Sequence, residues 1–161
     1  MAFKLQNTFT HSSAMRLASA LGCALLGLLC CTSCWAKLGG DLASVQADQQ
    51  AWGASASQTT LASGATLFTH TLPQGVTVRQ YADANGLVFA VGWDGPTLPD
   101  FARLLGTHFS SYADAVRQQK RGVSVQGATL VIESGGRMGS FAGRAFLPGQ
   151  LPARLSAQDI R

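Results

Sequence analysis

Four side chains have the chemistry of an anion-binding surface: Arg79, Tyr81, Arg137 and Arg144. Arg79 and Tyr81 are two residues apart on one predicted strand, so they point to the same side of a sheet. Arg137 and Arg144 belong to a predicted hairpin further along the chain. Guanidinium groups bind carboxylates and phosphates through paired hydrogen bonds, and an aromatic ring beside them adds cation–π contacts. These residues are the candidates for a binding surface for an anionic glycan, peptide or lipid head group, although the pattern favours a solvated sheet face.

Two acidic residues, Asp94 and Asp100, flank a corner that contains Pro96 and Pro99. A pair of carboxylates can supply the general acid and the base of a hydrolase, which is one interpretation of this corner. Turn formation and helix capping account for both residues without chemistry. An envelope hydrolase that uses Asp94 and Asp100 therefore stands as an alternative to a non-catalytic protein.

The histidines that follow residue 36, His70 and His108, match no metal-ligand spacing. We expect them at the surface or at the start of a helix. The serines form no Gly-x-Ser-x-Gly motif, which marks the nucleophile of many hydrolases. The sequence predicts no catalytic residue, no metal site and no cofactor, and it favours a binding function over an enzymatic one.

Five segments predict the strands that must carry these side chains, because their apolar residues alternate or cluster between turn residues. They cover residues 65–72, 76–83, 87–93, 123–133 and 138–147. Apolar residues at helical spacing predict one helix between Asp41 as N-cap and Gly53 as its end, and further helices between residues 97 and 122. Residues 55–64 have no periodicity and are predicted to form a loop.

The dipeptide Asn85-Gly86 favours a two-residue hairpin turn, in which both central residues have positive φ angles. Such a turn fixes the register of the strands on either side. It predicts that Phe89, Val91 and Trp93 face the core together. The predicted binding residues on the preceding strand then lie on the opposite face.

The order of these elements predicts a single α+β domain over residues 37–161, with an irregular tail from about residue 148. Its antiparallel sheet has about five strands, formed by a central hairpin meander and a C-terminal hairpin, and packs against two to three helices. A chain of 161 residues has room for one domain of this kind.

The first 36 residues have the composition of a cleavable secretory signal peptide. Lys4 and Arg16 form a basic start without an acid, and the apolar run from Leu17 to Cys31 has 15 residues. A helix needs roughly 20 apolar residues to cross a bilayer, so this run is shorter than a transmembrane span. Small residues predict cleavage after Ala36, which makes the protein exported, either periplasmic or secreted, without a transmembrane segment. An uncleaved N-terminal anchor is the alternative.

All the cysteines precede the predicted cut, so residues 37–161 contain no thiol for a disulfide or a zinc site. The sequence Cys-Thr-Ser-Cys at residues 31–34 resembles a lipoprotein box that lacks its leading leucine. Lipid attachment at Cys34 is therefore an alternative to release. It would make the protein a lipoprotein assembly factor anchored at Cys34.

Residues 37–161 contain ten basic and eight acidic side chains, which gives a net charge of +2. A nucleic-acid site requires a denser basic stripe, so we expect no nucleic-acid partner. The expected partner is an envelope protein or an anionic glycan or lipid surface.

Several short runs resemble the pattern of the bacterial domain of unknown function 2844 family. They are VRQY at 78–81, GLVFAVGW at 86–93, GP at 95–96, LPD at 98–100, LLG at 104–106, GRA at 143–145 and the LP pairs at 147–148 and 151–152. The sequence departs from that pattern at Gln80, where an acid is expected, and at residues 137–139, where a His-Met-Arg-like run is expected. The resemblance implies an exported proteobacterial protein, and it implies no activity, cofactor or catalytic residue.

Overall fold

The structure is a computed structural model that describes residues 37–119 and 122–161. The predicted signal peptide, with Cys34 and the cleavage site after Ala36, lies outside the described residues. The helices are α1 (Leu42–Trp52), α2 (Phe101–Leu105) and α3 (Phe109–Gln118), with short 3-10 helices at Gly106–His108, Pro148–Gln150 and Ala157–Asp159. The strands are β1 (Ser55–Thr60), β2 (Thr66–Thr71), β3 (Thr77–Ala82), β4 (Val88–Gly95), β5 (Val123–Gln126), β6 (Val131–Arg137) and β7 (Ser140–Phe146).

The described strands form one antiparallel sheet of seven strands in the order β1-β2-β3-β4-β7-β6-β5. The predicted α+β class is confirmed, but the sheet is larger than the expected five strands. Residues 55–60, expected in a loop, form β1, which pairs with β2 along its whole length while its side chains are exposed. A strand without an apolar face has no alternation that a sequence pattern can detect.

The other additional strand arises because the fourth predicted strand is interrupted. Gly127 donates its backbone N–H to the carbonyl of Leu130 at 2.9 Å, which closes a turn between β5 and β6. β6 then continues to Arg137, so the last hairpin turns at Met138 and Gly139. Gly135 and Gly136, which the sequence predicted in a turn, are part of strand β6.

The helices cover one face of the sheet. α1 has the predicted ends: the carboxylate of Asp41 accepts a hydrogen bond from the Ser44 backbone N–H at 2.9 Å, and Gly53 ends the helix with a φ of 57°. The ring of Phe101 on α2 packs edge-on against Trp93 of β4, with 5.0 Å between ring centroids. The core on this face also contains the buried residues Val45, Val78, Val91, Leu104, Leu105, Tyr112 and Ile132. Within the described residues, no helix has the length and apolar character needed to span a bilayer.

A β-bulge changes the predicted register beside the β3–β4 turn. Val78 lies opposite Trp93, as predicted, but the register shifts after Tyr81, so that Ala82 lies opposite Val88. The backbone N–H of Asp83 donates to the carbonyl of Leu87, which leaves three residues in the loop instead of two. Bulges insert one extra residue into a strand and so reverse the facing of the residues beyond them.

The bulge reverses the face of the sheet on which Phe89 lies. This residue does not share the helix-covered face with Val91 and Trp93, as the two-residue turn predicted. Phe89 is fully buried on the other face, where its ring centroid lies 6.4 Å from that of Tyr81. The prediction for Phe89 is therefore wrong, and the predictions for Val91 and Trp93 are correct.

Residues 156–161, which we call the strap, lie over this second face. The side chains of Ser156 and Asp159 cap each other's backbone N–H groups in a short 3-10 helix. Ile160 then inserts into a second core cluster with Tyr81, Phe89 and Phe146. The tail after residue 147 contains two short 3-10 helices, and its last residues close a face of the sheet.

Candidate functional site

Two of the predicted binding residues form a row with Gly92 on the strap face. Arg79, Gly92 and Arg144 lie directly opposite one another on the neighbouring strands β3, β4 and β7. Because Gly92 has no side chain, it leaves a notch between the two arginines. The main-chain carbonyl of Arg161 fills this notch, and a Cβ atom at position 92 would overlap it. Gly92 therefore determines where the strap meets the sheet.

Arg144 binds the strap through carbonyl oxygens. Its Nη1 group donates a short hydrogen bond to the carbonyl of Ala157. The same nitrogen lies 3.5 Å from the carbonyl oxygen of Ile160. Arg144 therefore binds main-chain atoms at both ends of the strap's 3-10 helix.

Arg79 and Tyr81 hold the end of the strap in the same manner. The Tyr81 hydroxyl donates to the carbonyl of Asp159 at 3.3 Å and accepts from the backbone N–H of Arg161 at 3.2 Å. Arg79 Nη1 donates to the carbonyl of Arg161 at 3.4 Å. We call Arg79, Tyr81 and Arg144 the clamp, because all three bind the strap's main chain.

Each clamp arginine is also paired with an acid. Arg79 forms an ion pair with Asp94, and Arg144 donates from Nε and Nη2 to one carboxylate oxygen of Glu133 at 2.8 and 2.7 Å. The hydrogen bond from Arg144 lowers the pKa of Glu133 below its ordinary value. These pairs are partly exposed, so they orient the guanidinium groups more than they stabilise the fold.

An open groove of about 560 Å³ lies beside the strap. It is lined by Ile160 and Arg161 of the strap, by the clamp arginines with their two acids, and by strand residues that include Ala142 and Gly143. Three guanidinium groups and two carboxylates give this lining a net charge of +1. We call it the strap groove, since it is the part of the predicted binding face that solvent still reaches.

The fourth predicted binding residue, Arg137, lies apart from this arrangement. It ends β6 opposite Ser140, is exposed at the hairpin turn, and does not line the strap groove. The structure therefore brings together Arg79, Tyr81 and Arg144 but not Arg137.

The two carboxylates of the hydrolase interpretation have separate structural partners. Asp100 is the N-cap of α2 and accepts a hydrogen bond from the backbone N–H of Arg103 at 3.1 Å. Asp94 binds Arg79 and lines the strap groove, which Asp100 does not. Hydrolysis by this pair stays a prediction of the sequence.

The two histidines differ in their surroundings. His108 directly precedes α3, at a helix start as expected, but His70 is 1% exposed, and its predicted surface position is wrong. His70 Nε2 lies 3.0 Å from Gln80 Oε1. The Gln80 amide nitrogen donates to Asp48 of α1 at 3.4 Å, and Asp48 lies 3.7 Å from Arg103 Nη1 of α2. We call His70, Gln80, Asp48 and Arg103 the buried polar chain.

This chain fixes the helices to the sheet, because it joins β2 and β3 to α1 and α2 through side chains. Burial lowers the pKa of His70, and the hydrogen bond to Gln80 opposes that shift only in part. Trp52 packs edge-on against the imidazole with 5.6 Å between ring centroids. The described residues contain no cluster of three or more His, Cys, Asp or Glu side chains that could hold a metal ion.

Sequence reasoning missed Gly92, Glu133 and the strap, although one signal was present. A glycine inside a strand marks close approach of another backbone, and Gly92 stands between Val91 and Trp93. Nothing in the periodicity of residues 156–161 marks their position over the sheet, because only one strap side chain, Ile160, is buried.

Replacing Gly92 with alanine is expected to destabilise the protein by about 1–3 kcal/mol, because the new methyl group overlaps the carbonyl of Arg161. Urea denaturation of both proteins measures this difference. Gly149→Ala is the matched control, since no atom lies within 4 Å of the added Cβ atom. Equal stability of the two variants would contradict the position of the strap.

Comparison with known proteins matches one family model. The model described as "Protein of unknown function (DUF2844)" matches residues 34–160, which is most of the chain. No curated protein and no solved structure matches the chain. The match contains all of the strands, the clamp and Ile160 of the strap. The chain belongs to the DUF2844 family.

Proposed function

We propose that this chain is an exported protein of the bacterial envelope that binds a partner protein through the strap groove. The observation that carries the proposal is an open groove beside the strap, which Arg79 and Arg144 of the sheet line together with Arg161 of the closed strap. Guanidinium groups that line a concave surface offer several fixed donors to a partner. A binding function accounts for the groove and its guanidinium groups without requiring a chemical step.

Export is supported by the sequence of the first 36 residues, with its basic start and 15-residue apolar run. The absence of cysteine from residues 37–161 is compatible with either compartment and does not bear on this point. The proposal places the folded domain on the outer side of the cytoplasmic membrane, in the periplasm or beyond it.

A polypeptide is the partner that the geometry favours over an anionic glycan or a lipid surface. The clamp arginines already use donors on main-chain carbonyls of the strap and on Asp94 and Glu133. A lining with a net charge of +1 suits a modestly acidic protein segment better than a polyanion. Glycan and lipid partners stay predictions of the sequence.

A photo-crosslinking residue at position 142 tests the groove in cells. Ala142 is exposed and lines the strap groove, so we expect adducts whose partner, identified by mass spectrometry, is an envelope protein. The same crosslinker at the exposed Gln118 of α3 is the matched control. Arg161→Glu should remove most of the adduct at position 142, and identical adducts at both positions would refute the groove as the binding site.

Cell fractionation and intact-mass measurement test export separately. We expect the protein in the envelope or medium with a mass that begins at Lys37. A chain that stays in the cytoplasm with residues 1–36 attached would refute export. A mass that begins at a lipid-modified Cys34 would instead favour the anchored alternative.

A further inference from the structure

We infer that the clamp is a recognition site for a polypeptide segment with the backbone shape of the strap, a 3-10 turn followed by extended residues, and that the strap occupies this site until a partner segment replaces it. The inference rests on the proposed function and names its mode of recognition. The partner segment has a branched apolar residue in place of Ile160, next to an acidic residue that enters the strap groove.

The clamp binds atoms that every polypeptide has. Its hydrogen bonds join main-chain oxygens of Ala157, Asp159, Ile160 and Arg161 and one backbone N–H, and none of them reaches a strap side chain. Hydrogen bonds to main-chain groups give affinity without sequence preference, as in peptide-binding proteins that recognise the backbone of their ligand. A segment with a different sequence would therefore meet the same donors and acceptor.

Selectivity comes from the single buried side chain of the strap. Ile160 is 1% exposed, and its neighbours in the second cluster include Tyr81, Phe89 and Phe146. The flanking residues Asp159 and Arg161 are exposed. A partner segment must therefore supply one apolar anchor of similar size, while its neighbouring residues remain free to differ.

The strap is held by clamp side chains and by the burial of Ile160, without pairing to any strand of the described sheet. Most of its hydrogen bonds to the clamp are 3.2 to 3.5 Å long. Backbone hydrogen bonds of good geometry are near 2.9 Å. The strap is therefore the part of the second face that can open without breaking the sheet.

The charge of the strap groove favours an acidic residue beside the anchor. The strap contributes Arg161 to a groove that Arg79 and Arg144 also line, so three guanidinium groups share one groove with two carboxylates. Replacing Arg161 with an acid removes this juxtaposition of like charges and adds an ion pair with Arg79. A partner segment of this kind would have an advantage over the strap.

A labelled peptide with the sequence of residues 155–161, Leu-Ser-Ala-Gln-Asp-Ile-Arg, tests the site directly. A second peptide has glutamate in place of its arginine. Fluorescence anisotropy measures the binding of each peptide to the full chain and to the full chain with Ile160→Ser. Because apparent affinity scales with the fraction of open clamp, we expect the Ile160→Ser chain to bind at least about tenfold more tightly.

Two variants show whether the peptide occupies the clamp. Adding Gly92→Ala to the Ile160→Ser chain fills the notch and should abolish binding, and a peptide with serine in place of its isoleucine should not bind. The glutamate peptide should bind more tightly than the arginine peptide. Equal binding to both chains, or binding that survives Gly92→Ala, would overturn the inference.

Hydrogen exchange on the unmodified chain keeps the inference testable if Ile160→Ser does not fold. The amides of residues 157–161 should exchange at least about tenfold faster than those of β3 and β4, because the strap opens locally. Exchange of the strap at the rate of the core would overturn the inference. So would a dimer detected by light scattering that forms by exchange of straps, because the occupant would then be a second copy.

The two proposals can fail independently. Specific adducts at position 142 without peptide binding would leave the envelope function in place and remove the clamp mechanism. Peptide binding without specific adducts in cells would leave the clamp mechanism in place and remove the proposed function.

Discussion

Replacing Arg103 with alanine is expected to lower the free energy of unfolding by about 2 kcal/mol, less than for a fully buried ion pair because the Arg103 side chain is 24% exposed. Asp48 is completely buried, and the substitution removes the guanidinium group that faces it at 3.7 Å. Without the guanidinium group, the buried carboxylate still lacks hydration by water but loses part of the electrostatic attraction that offsets this cost. Urea denaturation at neutral pH measures the change.

A second substitution separates this electrostatic effect from lost packing. In the Arg103→Ala background, Asp48→Asn removes the negative charge and keeps an amide oxygen for Gln80, whose nitrogen donates to Asp48 at 3.4 Å. We expect the double variant to recover more than half of the lost stability. No recovery would mean that Arg103 stabilises α2 by packing and not through Asp48.

Acidification from about pH 7 to about pH 5 is expected to lower the free energy of unfolding, by up to about 1.4 kcal/mol per pH unit for one proton. In the unfolded chain His70 takes up a proton near its ordinary pKa of 6.5, whereas burial lowers its pKa in the folded protein. The unfolded state therefore binds more protons as the pH falls below 6.5. The stability that neutral His70 provides is complete above that pH and decreases until the pH reaches the folded-state pKa.

Denaturation curves of two histidine variants assign this slope. His70→Gln keeps a polar atom near Gln80 and removes the titrating ring, so its stability should change much less between about pH 7 and about pH 5. His108→Gln is the control, because burial also lowers the pKa of His108. A slope that disappears with His108→Gln and persists with His70→Gln would contradict the prediction. The lowered pKa of Glu133 affects stability only at lower pH.

The sequence predicted local structure correctly where a residue type favours one specific position in a helix or turn. Asp41 and Gly53 bound α1 as expected, because an N-cap acid and a left-handed glycine each have a specific role at a helix end. The predictions for β1 and for the register beside the β3–β4 turn failed because no single residue marks these features. β1 has a single small apolar residue, Ala56, which is too little to reveal a strand. The bulge at Tyr81 and Ala82 depends on contacts across strands that a two-residue turn rule does not contain.

Arg79, Tyr81 and Arg144 lie on strands that the sequence predicted, whereas Arg137, expected between two strands, ends β6. No sequence pattern marked the strap that contacts the other three. Arg79, Tyr81 and Arg144 lie on one face, as alternation along the strands requires. Glu133 lies directly opposite Arg144 across the β6–β7 hairpin, whereas Arg161 lies 82 residues from Arg79 along the chain. The buried polar chain was missed because His70 and Gln80 alternate with polar residues on both sides, so neither residue is marked as buried.

The position of the strap in chain order sets the sequence of events during folding. Asp159 contacts Tyr81 across 78 residues, and the strap follows all of the described strands along the chain. A chain that crosses a membrane from its N-terminus would deliver these residues after the sheet. Until then Tyr81, Phe89 and Phe146 lack Ile160 as a neighbour, and long-range closure of this kind is slow. During that interval a protease or a chaperone can distinguish a molecule whose strap has not yet packed from the fully folded protein.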